Sequence, residues 1–219
     1  MRVATLILFF VTASLSADTV ATHSFQSKLP AAGVERVVIE IPAAEIIITN
    51  GPAHDVQLIG TAEREYHSSR DLERSQRIAN ASSVRMEMRG RSLVVSRVLG
   101  AGADKRSWSE LTEFRLQLTV PEGMPIELDQ RFGEVEMTGI FGDTTIDMKA
   151  GEVRINTPRR AIKELSARVH IGEVSTNLGR KVITKEGIFA GSTEYFNEKG
   201  HSSLVVNLAV GEIDIVLTD

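Results

Sequence analysis

The 219-residue sequence predicts an all-β fold, built as a repeat array of two-strand rungs in the manner of a β-solenoid or β-helix. Three observations carry the prediction: a recurring apolar-Gly-Glu-apolar motif, period-two alternation of apolar residues on both sides of it, and turn-forming residues between the copies. The motif reads Phe132-Gly133-Glu134-Val135, Ala150-Gly151-Glu152-Val153, Ile171-Gly172-Glu173-Val174 and Val210-Gly211-Glu212-Ile213. Ala190-Gly191-Ser192-Thr193 keeps the spacing without the acid, and the five glycines lie 18, 21, 19 and 20 residues apart. A fixed period near twenty residues is the mark of a repeat architecture.

The elements follow in chain order. Arg2, the apolar run Val3 to Val11 and the small residues Thr12 to Ala17 form a secretory signal peptide, residues 1–17. A nine-residue apolar run spans only ~14 Å as a helix, about half of a bilayer core, so an anchor is disfavoured. Alternation starts at Val34: Val37, Ile39, Ile41 and Ala43, then Ile46 and Ile48 beyond Ala44-Glu45, a corner with Ala44 in the glycine slot. Val56 and Leu58 mark a further strand after the Asn50-Gly51-Pro52 breaker. The charged stretch from about 63 to 111 reads as an insertion. Within it, Ser68-Ser69-Arg70-Asp71 resembles a capping box and predicts a short, exposed helix over Asp71 to Ala79. Val84 to Val98 is mostly strand, and Gly100-Ala101-Gly102-Ala103-Asp104 a loop. Phe114, Leu116, Leu118 and Val120 alternate up to the Pro121-Glu122-Gly123 turn.

From Ile126 the repeats take over. Apolar residues fall at Ile146, Met148, Ala150, then Val153 and Ile155, and at Leu204, Val206, Leu208, Val210, then Ile213, Ile215 and Leu217. Steps of two become a step of three across Gly-Glu, so the motif is a corner that resets which face points inward. Gly133, Gly151, Gly172, Gly191 and Gly211 are therefore expected structural corners, where glycine accepts φ > 0 or close backbone approach. An antiparallel β-sandwich, one hairpin per unit, is the alternative architecture. Domain organisation is thus residues 18–125, an N-terminal β region with the insertion, continuous with a repeat region over 126–219.

Phe114-Arg-Leu-Gln-Leu-Thr-Val-Pro121-Glu-Gly123, Ile126-Glu-Leu128 and the ordered Gly-Glu-Val series resemble the bacterial putative-adhesin (toastrack-like) domain family of unknown function, over Val34 to Asp219. The resemblance implies a solenoid-like cell-envelope domain with adhesion or scaffolding as its role.

Composition narrows the chemistry. A formal net charge of −4 gives no footprint for nucleic acid. No cysteine is present, which removes thiol catalysis, thiolate metal sites and disulfides together. His23, His54, His67, His170 and His201 show no ligand spacing, so no metal or cofactor is expected. Glu134, Glu152, Glu173 and Glu212 read as solvated corner residues, with a Ca²⁺ ladder as the competing reading. Asp129, Asp143 and Asp147 read as outward strand polars rather than a catalytic set. Trp108, flanked by Lys105 and Arg106, is a candidate contact for a partner or glycan, or else a lid on the core.

The chain therefore reads as an exported (periplasmic, extracellular or surface) non-catalytic binding or scaffolding domain, not an integral membrane protein, facing an unidentified protein or glycan. A carbohydrate-active enzyme and an envelope-stress sensor are the alternatives. Because the apolar strand Val210 to Leu217 ends the chain, an uncovered last rung with weak self-association through the C-terminal strand is also expected. The mature N-terminus should be Ala17 or Asp18, since Ser14-Leu15-Ser16 suits signal peptidase. Mass spectrometry of the exported protein checks this, and an intact Met1 would overturn it.

Overall fold

A computed structural model describes residues 20–66, 69–98, 112–178 and 191–219. The signal segment, the Trp108 loop and the Ser68 end of the capping box lie outside the described residues. The elements are β1 (Val20–Pro30), β2 (Arg36–Glu40), β3 (Ala43–Asn50), β4 (Asp55–Glu65), α1 (Ser69–Asn80), β5 (Ser83–Arg89), β6 (Ser92–Val98), β7 (Glu113–Val120), β8 (Ile126–Thr138), β9 (Thr144–Pro158), β10 (Ile162–Thr176), β11 (Gly191–Phe196) and β12 (Ser202–Thr218). Together the strands form one open 12-stranded sheet with a single short helix among the described residues.

The sheet is creased. β8, β9, β12 and β10 each run through a Gly-Glu corner, and β2 and β3 are the two halves of a first rung broken at Ile41-Pro42. These rungs pair in parallel and in register, so Ala44, Gly133, Gly151, Gly211 and Gly172 fall in one line. Before the crease, Ile39, Leu128, Ile146, Val206 and Ala167 form one inward row. Beyond it, Ile46, Val135, Val153, Ile213 and Val174 form another. Both arms feed one buried cluster. Stacked aliphatic and β-branched side chains suit a pleated, half-buried surface, which is why these segments choose strand.

The other strands close the array. On the pre-crease arm β6 pairs β2 in parallel and β5 pairs β6 antiparallel. Beyond the crease β7 pairs β3 in parallel, and β4 and β1 follow antiparallel. Helix α1 packs on β1 and β4, burying Ile78 and Ala79. Rung ends are tied by asparagine. Asn50 donates to Ile140 O at 3.0 Å and accepts from Ile140 N at 2.6 Å. Asn177 does the same for Leu217, at 2.9 and 2.8 Å, continuing the backbone ladder with a side-chain amide where β10 has ended.

Four expectations need correction. The stretch that reads as an insertion is built into the sheet: Val84, Met86, Leu93 and Val95 of β5 and β6 belong to the core cluster. Ala150 and Val210 do not point inward; the buried series stops at Met148 or Leu208 and resumes at Val153 or Ile213. The corner turns the chain outward for four residues rather than skipping one. Val20–Pro30 adds a strand ahead of Val34, with polar His23 and Ser27 sharing its inward-alternating positions.

The last correction concerns the chain end. β12 does not follow β10 in space but lies between β9 and β10, hydrogen-bonded to both over nearly its whole length. Its backbone groups are satisfied on both sides, so the expected open rung, and self-association through it, has lost its basis. Removal of residues 201–219 should therefore abolish folding rather than shorten the array. It would strip six buried aliphatics, from Leu204 to Leu217. Each is worth roughly 1.5–3 kcal/mol, and together they rival the ~5–15 kcal/mol stability of a whole domain. Circular dichroism and thermal melting check this; a cooperative melt of the truncated chain would contradict it.

Candidate functional site

The crease line is where the repeat motif acts. Gly133, Gly151, Gly172 and Gly211 have φ between 130° and 141°, a region that L side chains rarely adopt. A Cβ at Gly151 would sit 1.8 Å from Gly133 O, one at Gly211 1.8 Å from Gly151 O, and one at Gly172 1.7 Å from Gly211 O. Each corner thus lays its missing side chain on the carbonyl of the rung before it. Gly133 does the same to Ala44 O, at 2.0 Å. Ala44 itself can carry a Cβ because neither neighbouring strand pairs with it on the far side: β6 pairing ends at Glu40 and β7 pairing starts at Glu45. Gly191 is not a member of this line; it opens β11, antiparallel to β10 and opposite Val169.

Gln130 occupies the inward row held on the next rungs by Met148, Leu208 and Val169. Its buried amide nitrogen donates to Ala44 O and Phe132 O, both at 2.5 Å. It fastens the first corner. Its Oε1 has no partner among the described residues.

Two rows flank the glycines on the outer surface. Phe132, Ala150, Val210 and Ile171 precede them, and Phe132, Val210 and Ile171 are 39%, 44% and 52% exposed. Glu45, Glu134, Glu152, Glu212 and Glu173 follow them, one acid per rung. Neighbouring rungs lie ~4.8 Å apart, so adjacent carboxylates repel by about 1 kcal/mol in water. Arg154 relieves the middle of the row, pairing closely with Glu152 and at 3.9 Å with Glu134. Glu212 and Glu173 have no ion pair among the described residues. An open groove of about 890 Å³ follows these rows.

At the Ala44 end the groove meets a second concavity of about 560 Å³, with Phe132 and Gly133 in both walls. Glu45, Glu63, Glu65 and Glu113 gather there from three strands, with Arg64 and Arg115. Arg115 lies 2.8 Å from Glu45 and 3.0 Å from Glu63, and their charges, Glu45 first, raise its pKa above the ordinary arginine value. The shared guanidinium leaves neither Glu45 nor Glu63 free of a partner. Sequence reasoning missed this cleft because its acids are distant in the chain; only the post-corner position of Glu45 could have marked it.

The other sequence candidates do not converge. Asp143 Oδ1 accepts from Ser203 N and Oγ at 2.9 and 3.1 Å, and Asp147 accepts from Asn207 at 2.8 Å. Both acids tie the β9 rung to β12. No group of three or more His, Asp or Glu placed to hold a metal ion occurs among the described residues. Trp108 lies outside them.

No family profile matches the chain, and no curated protein matches its sequence. Its fold is similar to that of a putative cell adhesion protein from Clostridium sporogenes, with a TM-score of 0.50 at 12% identity, over 90% of this chain and 100% of that one. Weaker likenesses are to a putative adhesin from Parabacteroides merdae (TM-score 0.29, 9% identity, 88% and 77% covered) and a putative lipid binding protein from Parabacteroides distasonis (0.26, 7%, 90% and 97%). At these identities the likeness concerns the fold alone.

Gly151→Ala should destabilise by about 2–5 kcal/mol, combining strain at positive φ with collision against a backbone carbonyl that cannot rotate away. The reverse change at the start of the line, Ala44→Gly, should cost no more than ~1 kcal/mol. Urea titration of both variants checks the contrast, and equal effects would remove the carbonyl from the explanation.

Proposed function

We propose that this chain is a non-catalytic binding or scaffolding module exported to the bacterial cell envelope, and that its parallel rungs form a solenoid-like array. The observation that carries the proposal is the crease. Five registered rungs present a continuous outer surface with one apolar and one acidic residue per rung, beside a groove open along its length. A rigid, repeating surface of this kind favours an extended contact over the enclosed site that catalysis needs. The signal-like segment 1–17 supports export, and no described helix is long and apolar enough to cross a membrane.

A carbohydrate-active role draws on the four glutamates of the cleft. Arg115 opposes it by geometry, since it already pairs with Glu45 and Glu63 and so occupies two of the four carboxylates.

Expressed with its leader in a bacterial host, the tagged protein should fractionate outside the cytoplasm. A substantial share should sediment with washed envelopes and be released by salt. Immunoblotting of the fractions checks this. Retention in the cytoplasm would overturn export, and quantitative recovery in the unbound soluble fraction would overturn the envelope role.

A further inference from the structure

We propose that the crease binds a cationic, amphipathic polypeptide segment laid across the rungs. Its lysines or arginines would face the glutamate row and the adjoining cleft, and its apolar side chains would cover Val210 and Ile171. The inference rests on the binding-module reading and names the partner class for that surface.

Charge is the first argument. The walls of the groove and cleft carry eight glutamates against two arginines, and Arg115 is already engaged with Glu45 and Glu63. The β12 and β10 rungs present Glu212 and Glu173 with no compensating ion pair among the described residues. Such a surface repels anionic glycans and anionic lipid headgroups. It also repels a second copy of itself, which would bring the same acids face to face.

Apolar exposure is the second argument. Val210 and Ile171, at 44% and 52% exposed, are adjacent in register, and each lies one glycine before the acid of its rung, Glu212 or Glu173, which has no ion pair among the described residues. A simple cation would satisfy the carboxylates and leave these side chains in water; a segment mixing both residue types satisfies both rows. The cleft adds a third observation. Thr112 is only 6% exposed and lines its wall, and the Thr112 hydroxyl has no hydrogen-bond partner among the described residues. The five rungs span roughly 19 Å, the length of about six extended or thirteen helical residues, so a short linear segment suffices.

The test uses the mature full chain and three fluorescein-labelled peptides, alternating lysine with leucine, lysine with serine, and glutamate with leucine. Fluorescence anisotropy should show saturable binding of the Lys-Leu peptide, weakening with added salt, and at least tenfold weaker binding of the other two. Glu173→Lys with Glu212→Lys, and separately Val210→Ser with Ile171→Ser, should each weaken Lys-Leu binding at least tenfold at unchanged melting temperature. Glu127→Lys, on the other arm, should leave it unchanged. Equal binding by the charge-reversed variant, equal binding of the Lys-Ser or Glu-Leu peptide, or an equal loss on Glu127→Lys would each overturn the proposal. The salt titration on the unmodified chain decides the matter should a variant fail to fold. Envelope retention is scored separately, so retention without peptide discrimination defeats the site assignment alone.

Discussion

The architecture depends on one close approach: the missing Cβ of each corner glycine falls on the carbonyl oxygen of the rung before it. A strand that bends sharply must bring its inner backbone close to its neighbour. In a registered parallel stack that crowding recurs at the same position on every rung. Glycine removes the obstacle, and its positive φ turns the chain. The bend then places two sheet arms over one core, so the corner residues decide where the hydrophobic core can form at all.

The same bend governs the outer surface. Between Leu208 and Ile213 the chain leaves the core for four residues, and whatever occupies them is displayed as a ladder. Once one rung carries apolar-Gly-Glu, registration multiplies it into parallel rows. Parallel pairing without register would scatter the same residues over the surface. The candidate site is thus a consequence of the stacking constraint, and only the identity of the displayed side chains is open to choice.

The sequence made much of this legible. Period-two runs mark β2, β3, β4, β7, β9 and β12, the Asp71 to Ala79 segment lies within α1, and the Gly-Glu series marks the crease. What it hid has physical causes. β1 escapes notice because polar residues such as His23 and Ser27 stand in its alternating positions. Val210 was misread because apolar identity was equated with burial, whereas a positive-φ corner breaks the parity count. The exchange of β12 and β10 cannot be inferred from pattern, since Val-Gly-Glu-Ile and Ile-Gly-Glu-Val offer β9 nearly the same partner. Gln130 in a core row and the cleft glutamates are three-dimensional facts, assembled from rungs and strands far apart in the chain.

That exchange bears on where the surface is most open to a partner. With β12 buried between β9 and β10, its acid stands between Glu152 and Glu173 rather than at an end. Arg154 engages Glu134 and Glu152, and Arg115 serves Glu45, so compensation is concentrated on the first three rungs. Glu212 and Glu173, which have no ion pair among the described residues, are adjacent in register, and they stand beside the two most exposed aliphatics of the line. Two adjacent unpaired carboxylates cost about 1 kcal/mol at this spacing in water, a repulsion that a single arginine at Asp214, the place Arg154 holds on β9, could relieve. The fold supplies an acid there instead. Charge and apolar exposure therefore coincide at the β12–β10 end, and the physical case for recognition is strongest where the chain end has been drawn into the middle of the sheet.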